Sequence, residues 1–128
     1  MAEQTEKAFQ KQDAVFVGKK ASLIKKYNIQ EGEIVILTVA NLSPVKGVDL
    51  LLKAFIKLSY KYNFLRLFLV GNKDNDFGKM IENTARKSQF KSNIHFVGKV
   101  EEVIDYYSIA DIFVLPTIKK GEGCPVSL

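Results

Sequence analysis

Four short apolar runs, each followed or preceded by a stretch with helical spacing, constrain the fold of this chain more than any other feature. The runs are Ile34–Val39, Leu65–Val70, 94–97 and 112–115, rich in Val, Ile, Leu and Phe and without regular polar alternation. A strand with one face in water alternates apolar and polar residues. A continuous apolar run suits a strand covered on both faces, as in a parallel sheet between helix layers. Between the runs the spacing changes to i, i+3, i+4, i+7. Val48, Leu51, Leu52, Phe55, Ser59 and Tyr62 follow it after Gly47. Phe77, Met80, Ile81, Thr84, Ala85 and Ser88 repeat it, with Asp76 as the expected N-cap. Val100, Val103, Ile104 and Tyr107 do so again, which places Glu101 and Glu102 in a first turn, where the helix dipole favours acids. An earlier helix is expected over 20–27, set off from the first strand by residues 30–33.

This alternation implies right-handed βαβ units and an α/β fold, a Rossmann-like doubly wound parallel sheet flanked by helices. In such sheets ligands bind outside the carboxyl ends of the strands. The informative segments are therefore 41–47, 71–76, 98–100 and 117–125.

The chain has 128 residues, of which 47% are hydrophobic and 26% charged, the balance of one globular domain. Residues 1–29 read as an N-terminal segment containing a helix, and 30–128 as the binding domain. The longest apolar stretch, residues 34–40, is interrupted only by Thr38 and falls far short of the roughly 18–20 residues that cross a bilayer. The first thirteen residues are polar and contain no apolar leader. Cys124 and His95 are each the sole residue of their kind, so neither an internal disulfide nor a His/Cys metal cluster is expected. A cytoplasmic setting is expected, with a longer parent able to sit peripherally at the inner membrane surface. The net charge of +5 could suit nucleic acid, an anionic membrane or a phosphorylated small molecule. The lysines and arginines are scattered in the manner of solvated helix faces, and no nucleic-acid partner is expected.

The loop Ala40-Asn41-Leu42-Ser43-Pro44-Val45-Lys46-Gly47 leads from the first strand straight into a helix. A helix start offers free N–H groups and a partial positive charge, and a lysine adds a full one, so the loop can bind phosphate. It is neither a Walker A nor a GxGxxG sequence, and a plain Pro-bearing turn with a solvent lysine is the alternative. At the end of the chain, Gly121 and Gly123 flank Glu122, with Cys124 and Pro125 following. A carboxylate there can accept from sugar hydroxyls, and glycines let backbone N–H groups approach a ligand. The alternative is a flexible polar turn. Cys124 has no base partner in view and reads as a small spacer, His95 as a partly buried strand residue, Tyr106 and Tyr107 as core, and Asp111 as a turn or capping residue.

Taken in order, ILTVANLSPVKGVDLLLKAF, LRLFLVGN, NIHFVGKVEEVIDYYSIADIFVLPT and GEGCPVSL closely resemble the C-terminal domain of GT-B glycosyltransferases, nearest to the retaining group 1, or family 4, enzymes. The resemblance covers about residues 30–128. It implies a domain that holds a nucleoside-diphosphate sugar as donor substrate, with no metal or other cofactor. Lys46 matches the lysine on the donor diphosphate, beside Gly47, and Glu122 the first carboxylate of an E-x7-E motif that contacts the donor sugar. Gly123, Cys124 and Pro125 match the loop against that sugar and diphosphate, and Val97, Gly98 and Val100 the loop that frames the nucleobase. Lys46 and Glu122 are thus the residues expected to serve catalysis.

Three departures accompany the match. Asn41 stands where many members carry an arginine beside the diphosphate, so one charge is replaced by a hydrogen-bonding amide. The motif's second glutamate would fall at position 130, past Leu128. The acceptor-binding N-terminal domain is not in this sequence. The implied parent moves a sugar to an acceptor that the sequence does not identify, and the chain alone is expected to be inactive and to self-associate through an uncovered sheet edge. A non-catalytic nucleotide- or phosphate-binding α/β module is the competing reading.

Overall fold

A computed structural model describes residues 21–116. All four apolar runs form strands there: β1 (Ile34–Val39), β2 (Leu65–Val70), β3 (Ile94–Gly98) and β4 (Ile112–Phe113). They pair in the order β3-β2-β1-β4, and every pairing is parallel. The chain winds from β1 through β2 to β3 on one side and then crosses back to place β4 on the other side of β1, which is the doubly wound arrangement.

The continuous hydrophobicity of β1, β2 and β3 is explained by cover on both faces. Ile36, Leu65, Leu67, Leu69 and Ile94 point to one side, where they meet Val48, Leu52 and Phe55 of α2 (Val48–Ser59) and Ile81 and Ala85 of α3 (Asp76–Arg86). Val35, Leu37, Phe68 and Val70 point to the other. There they pack with Leu23 and Ile24 of α1 (residues 21–26) and Tyr106 of α4 (Ile104–Tyr107). Every residue of β2 is buried, as befits a central strand. Among the described residues no helix is long and apolar enough to cross a membrane.

The helix boundaries differ from expectation in two places. Asn75, not Asp76, caps α3: its Oδ1 accepts from the Gly78 N–H at 2.7 Å, and Asp76 occupies the first helical position, where its charge still faces the positive end of the dipole. The segment expected to be helical from Val100 becomes helix only at Ile104, so Glu101 and Glu102 precede α4 and do not form its first turn. Val100 is nonetheless packed against the same core as Val97. Apolar spacing reports which side chains are buried, and a loop can bury them at that spacing too. β4 pairs over only two residues. Ile112, Phe113 and Leu115 beside it are 48%, 37% and 39% exposed, an apolar edge of the kind that promotes association.

Candidate functional site

The loops at the carboxyl ends of β1, β2 and β3 are sewn to one another by backbone hydrogen bonds. Beyond β1, Ala40 N–H donates to Val70 O at 2.8 Å and Leu42 N–H to Asn72 O at 2.9 Å. Beyond β2, Gly71 N–H donates to Gly98 O at 2.9 Å. Gly71 is required here. Its φ is +146°, and a Cβ would lie 2.0 Å from Ala40 O. Gly98, at φ +82°, turns the chain out of β3.

Lys46 and Gly47 stand at the junction of β1 and α2. Ser43 opens a single 3-10 turn, Pro44–Lys46, in which proline's fixed φ suits the first position. Gly47 ends it at φ +67°, and α2 begins at Val48. The positive end of α2 thus lies beside half-buried Lys46 at the carboxyl edge of the sheet, a local arrangement suited to an anion. Asn41 is exposed, but its Oδ1 accepts from Asn72 N–H at 3.1 Å, so this side chain also braces one loop against the next. Val97 and Val100 are half-buried, and Gly98 is buried between them. Glu122, Gly123, Cys124 and Pro125 lie outside the described residues.

Two residues that the sequence reading passed over contribute to this edge. Asn75 Nδ2 donates to Leu42 O at 3.1 Å, tying the α3 cap to the first loop. Lys73, in the second loop, reaches Glu82 of α3 with Nζ at 3.4 and 3.5 Å from the two carboxylate oxygens. Among the described residues, no group of three or more His, Cys, Asp or Glu is placed to hold a metal ion.

A second polar cluster lies at the opposite end of β2. Arg66, 8% exposed, donates through Nε to Glu33 at 3.0 Å, through Nη1 to Tyr27 O at 2.7 Å and through Nη2 to Asn28 O at 2.9 Å. Its Nη1 also lies 3.3 Å from His95 Nε2. Burial and the Arg66 charge push His95 down to about 4, so the ring is neutral at neutral pH and faces Arg66 with an acceptor nitrogen. Burial would raise the Glu33 carboxyl, but the hydrogen bonds from Arg66 and Gln30 N–H and the nearby positive charge outweigh it and hold it low. Burial, then the hydrogen bond to Tyr27 at 3.0 Å, pushes the Tyr106 hydroxyl up. Asp111 Oδ2 accepts from Val35 N–H at 2.8 Å, a capping role. This cluster fastens the end of α1 to the sheet. The lone arginine inside LRLFLV, with Glu33 and His95 in flanking segments, was its only signal in the sequence.

A cavity of about 430 Å³ runs along the outer edge of β3, lined by Tyr27, Glu82, Arg86, Lys91, His95 and Phe96 among others. It shares no lining residue with the loops that bear Asn41, Lys46 or Gly98.

Residues 19–128 match the sequence family described as Glycosyl transferases group 1. An uncharacterized glycosyltransferase of Haemophilus influenzae is 31% identical over 91 residues, which are 71% of this chain and 25% of that protein. The chain thus spans about a quarter of the length of this relative. A glycosyltransferase structure from Rickettsia africae superposes with a TM-score of 0.71 at 21% identity, over 80% of this chain and 27% of that one. Anabaena Alr3699/HepE in complex with UDP superposes with a TM-score of 0.70 at 16% identity, over 85% and 30% of the respective chains. The fold is that of the GT-B glycosyltransferases.

Proposed function

This chain belongs to the group 1 glycosyl transferases, and on that footing we propose that its carboxyl-edge loops form the donor half of an enzyme that moves a sugar from a nucleoside diphosphate to an acceptor with retention of configuration. The observation that carries the reading is the junction at Gly47, where a left-handed glycine, the start of α2 and Lys46 meet at the end of β1. When the sugar leaves its diphosphate, negative charge builds on the departing oxygen. A preorganised cation and helix N–H groups stabilise that charge without reorganising. Lys46 is the cation in this role, with Gly47 allowing backbone approach and Asn41 donating from its amide. Val97, Gly98 and Val100 frame the nucleobase, and Glu122, Gly123, Cys124 and Pro125 face the sugar. The Anabaena structure of the same fold is a complex with UDP, which supports a nucleotide as the ligand class. A second domain of the parent supplies the acceptor site. A cytoplasmic setting goes with the reading, since the single cysteine offers no internal disulfide.

The test is thermal unfolding with UDP, GDP and ADP. A ligand at about 100 times its Kd adds roughly 2.7 kcal/mol to stability. At least one of the three raises Tm in the wild-type chain, and Lys46→Met, measured against its own unliganded Tm, abolishes the rise. A folded sample that responds to none of the three rejects the donor-site assignment.

A further inference from the structure

Resting on the donor-site reading, we infer that Lys73 is a base-reading residue, whose ammonium donates to a nucleobase carbonyl and thereby selects uracil or guanine over cytosine or adenine. The inference starts from how firmly the backbone of Lys73 is held. Its carbonyl accepts from Asn75 N–H at 2.9 Å, and α3 approaches it so closely that a Cβ on Gly78 would lie 2.2 Å from the same oxygen. Asp74 N–H donates to Asn72 Oδ1 at 3.1 Å, closing the turn around it. The loop is rigid without any help from the lysine side chain.

That side chain runs toward the end of β3. Its Cε would sit 3.6 Å from a Cβ on Gly98, in the segment read as framing the base. The ammonium then meets Glu82, but loosely. Distances of 3.4 and 3.5 Å exceed the roughly 2.7–2.9 Å of a well-formed charge-assisted bond, and the two side chains are 30% and 28% exposed. A pair of this kind contributes little to stability and exchanges readily for a better partner. Uracil and guanine present a carbonyl where cytosine and adenine present an amino group. An ammonium has donors only, so it rewards the carbonyl and is left facing another donor by the amine.

Calorimetric titration of UDP, CDP, GDP and ADP against the wild-type chain, Lys73→Met and Glu82→Gln decides the matter. The wild type prefers UDP to CDP, and GDP to ADP, by about tenfold, within the range of one good base contact. Lys73→Met brings both ratios close to one by weakening UDP and GDP alone. Glu82→Gln, which releases the ammonium, keeps or widens the ratios. Equal losses for all four ligands in Lys73→Met, unchanged ratios, or collapsed ratios in Glu82→Gln would overturn the assignment while leaving the donor site standing. Failure of the folded wild type to bind any of the four removes the donor site itself, and this inference with it.

Discussion

Replacing Gly71 by alanine tests whether the carboxyl-edge loops are held as rigidly as their hydrogen bonds indicate. A Cβ there would lie 2.0 Å from Ala40 O, 2.5 Å from Ala40 C and 3.0 Å from Asn41 N. The obstacle is backbone and cannot rotate away. It is also backbone already engaged, because Ala40 N–H is bonded to Val70 O and Leu42 N–H to Asn72 O. Two terms follow. Holding a non-glycine residue in this glycine region costs about 1–3 kcal/mol. Forcing the ends of β1 and β2 apart adds about 1–3 kcal/mol, as overpacking does elsewhere. Gly32 supplies the control, since its φ is +91° and a Cβ there would meet nothing within 4 Å. Gly32→Ala therefore carries the conformational term alone, about 1–2 kcal/mol. Urea unfolding of the two variants, with m unchanged, isolates the steric term. Gly71→Ala should be the less stable by about 2 kcal/mol and should lose nucleotide binding along with it. If the two variants fall within about 0.5 kcal/mol of each other, the loops yield freely and the rigid-edge argument fails.

Other consequences are open to simpler checks. His95 titrates at about 4 in the folded chain, below its ordinary 6.5, so the unfolded chain binds more protons between those values. Stability is therefore lost as pH falls from about 6.5 toward 4, by at most about 1 kcal/mol per unit after allowance for residual solvent contact. His95→Gln, which retains an acceptor for Arg66 and does not titrate, should flatten that slope in urea midpoints, and an unchanged slope refutes the assignment. The Glu33 contribution remains in that variant, present above its ordinary value of 4.5 and lost as pH falls through its lowered folded value. Thr38 is fully buried, and its hydroxyl has no hydrogen-bond partner among the described residues. Thr38→Val should raise stability by about 1 kcal/mol, and a lower Tm would show that the hydroxyl is satisfied. The exposed apolar edge at Ile112, Phe113 and Leu115 predicts concentration-dependent association in sedimentation velocity, reduced by Ile112→Lys; a monomer at all concentrations contradicts it.

The first three strand positions were legible because burial on both faces leaves an unbroken apolar run: β1 and β2 have the bounds read from the sequence, β3 extends by one residue, Gly98, and the exposed β4 keeps only Ile112 and Phe113 of the run 112–115. Boundaries set by local chemistry were less so. Asn75 and Asp76 are both competent caps, and only the approach of Gly78 N–H selects the asparagine. Val100 and Val103 have helical spacing, yet α4 begins only at Ile104. At the candidate site, Lys46 and Gly47 could be singled out because a lysine and a glycine at a strand–helix junction have a local physical meaning. Gly71 and Lys73 could not. Their significance depends on Ala40, Gly98 and Glu82, which approach only once the sheet is assembled. The Arg66 cluster was hidden for the same reason, since pairing places Arg66 two residues before Phe68, opposite His95, while Glu33 arrives from the segment before β1.

The most direct test of the central claim is an amide-resolved NMR titration of the chain with UDP and with GDP. The donor-site reading predicts that shift changes cluster at Asn41 through Val48, Gly71 through Lys73 and Val97 through Val100, and that Lys46→Met reduces them sharply. Changes centred instead on Tyr27, Arg86, Lys91 and His95, around the cavity beside β3, or no changes at saturating nucleotide, would contradict it.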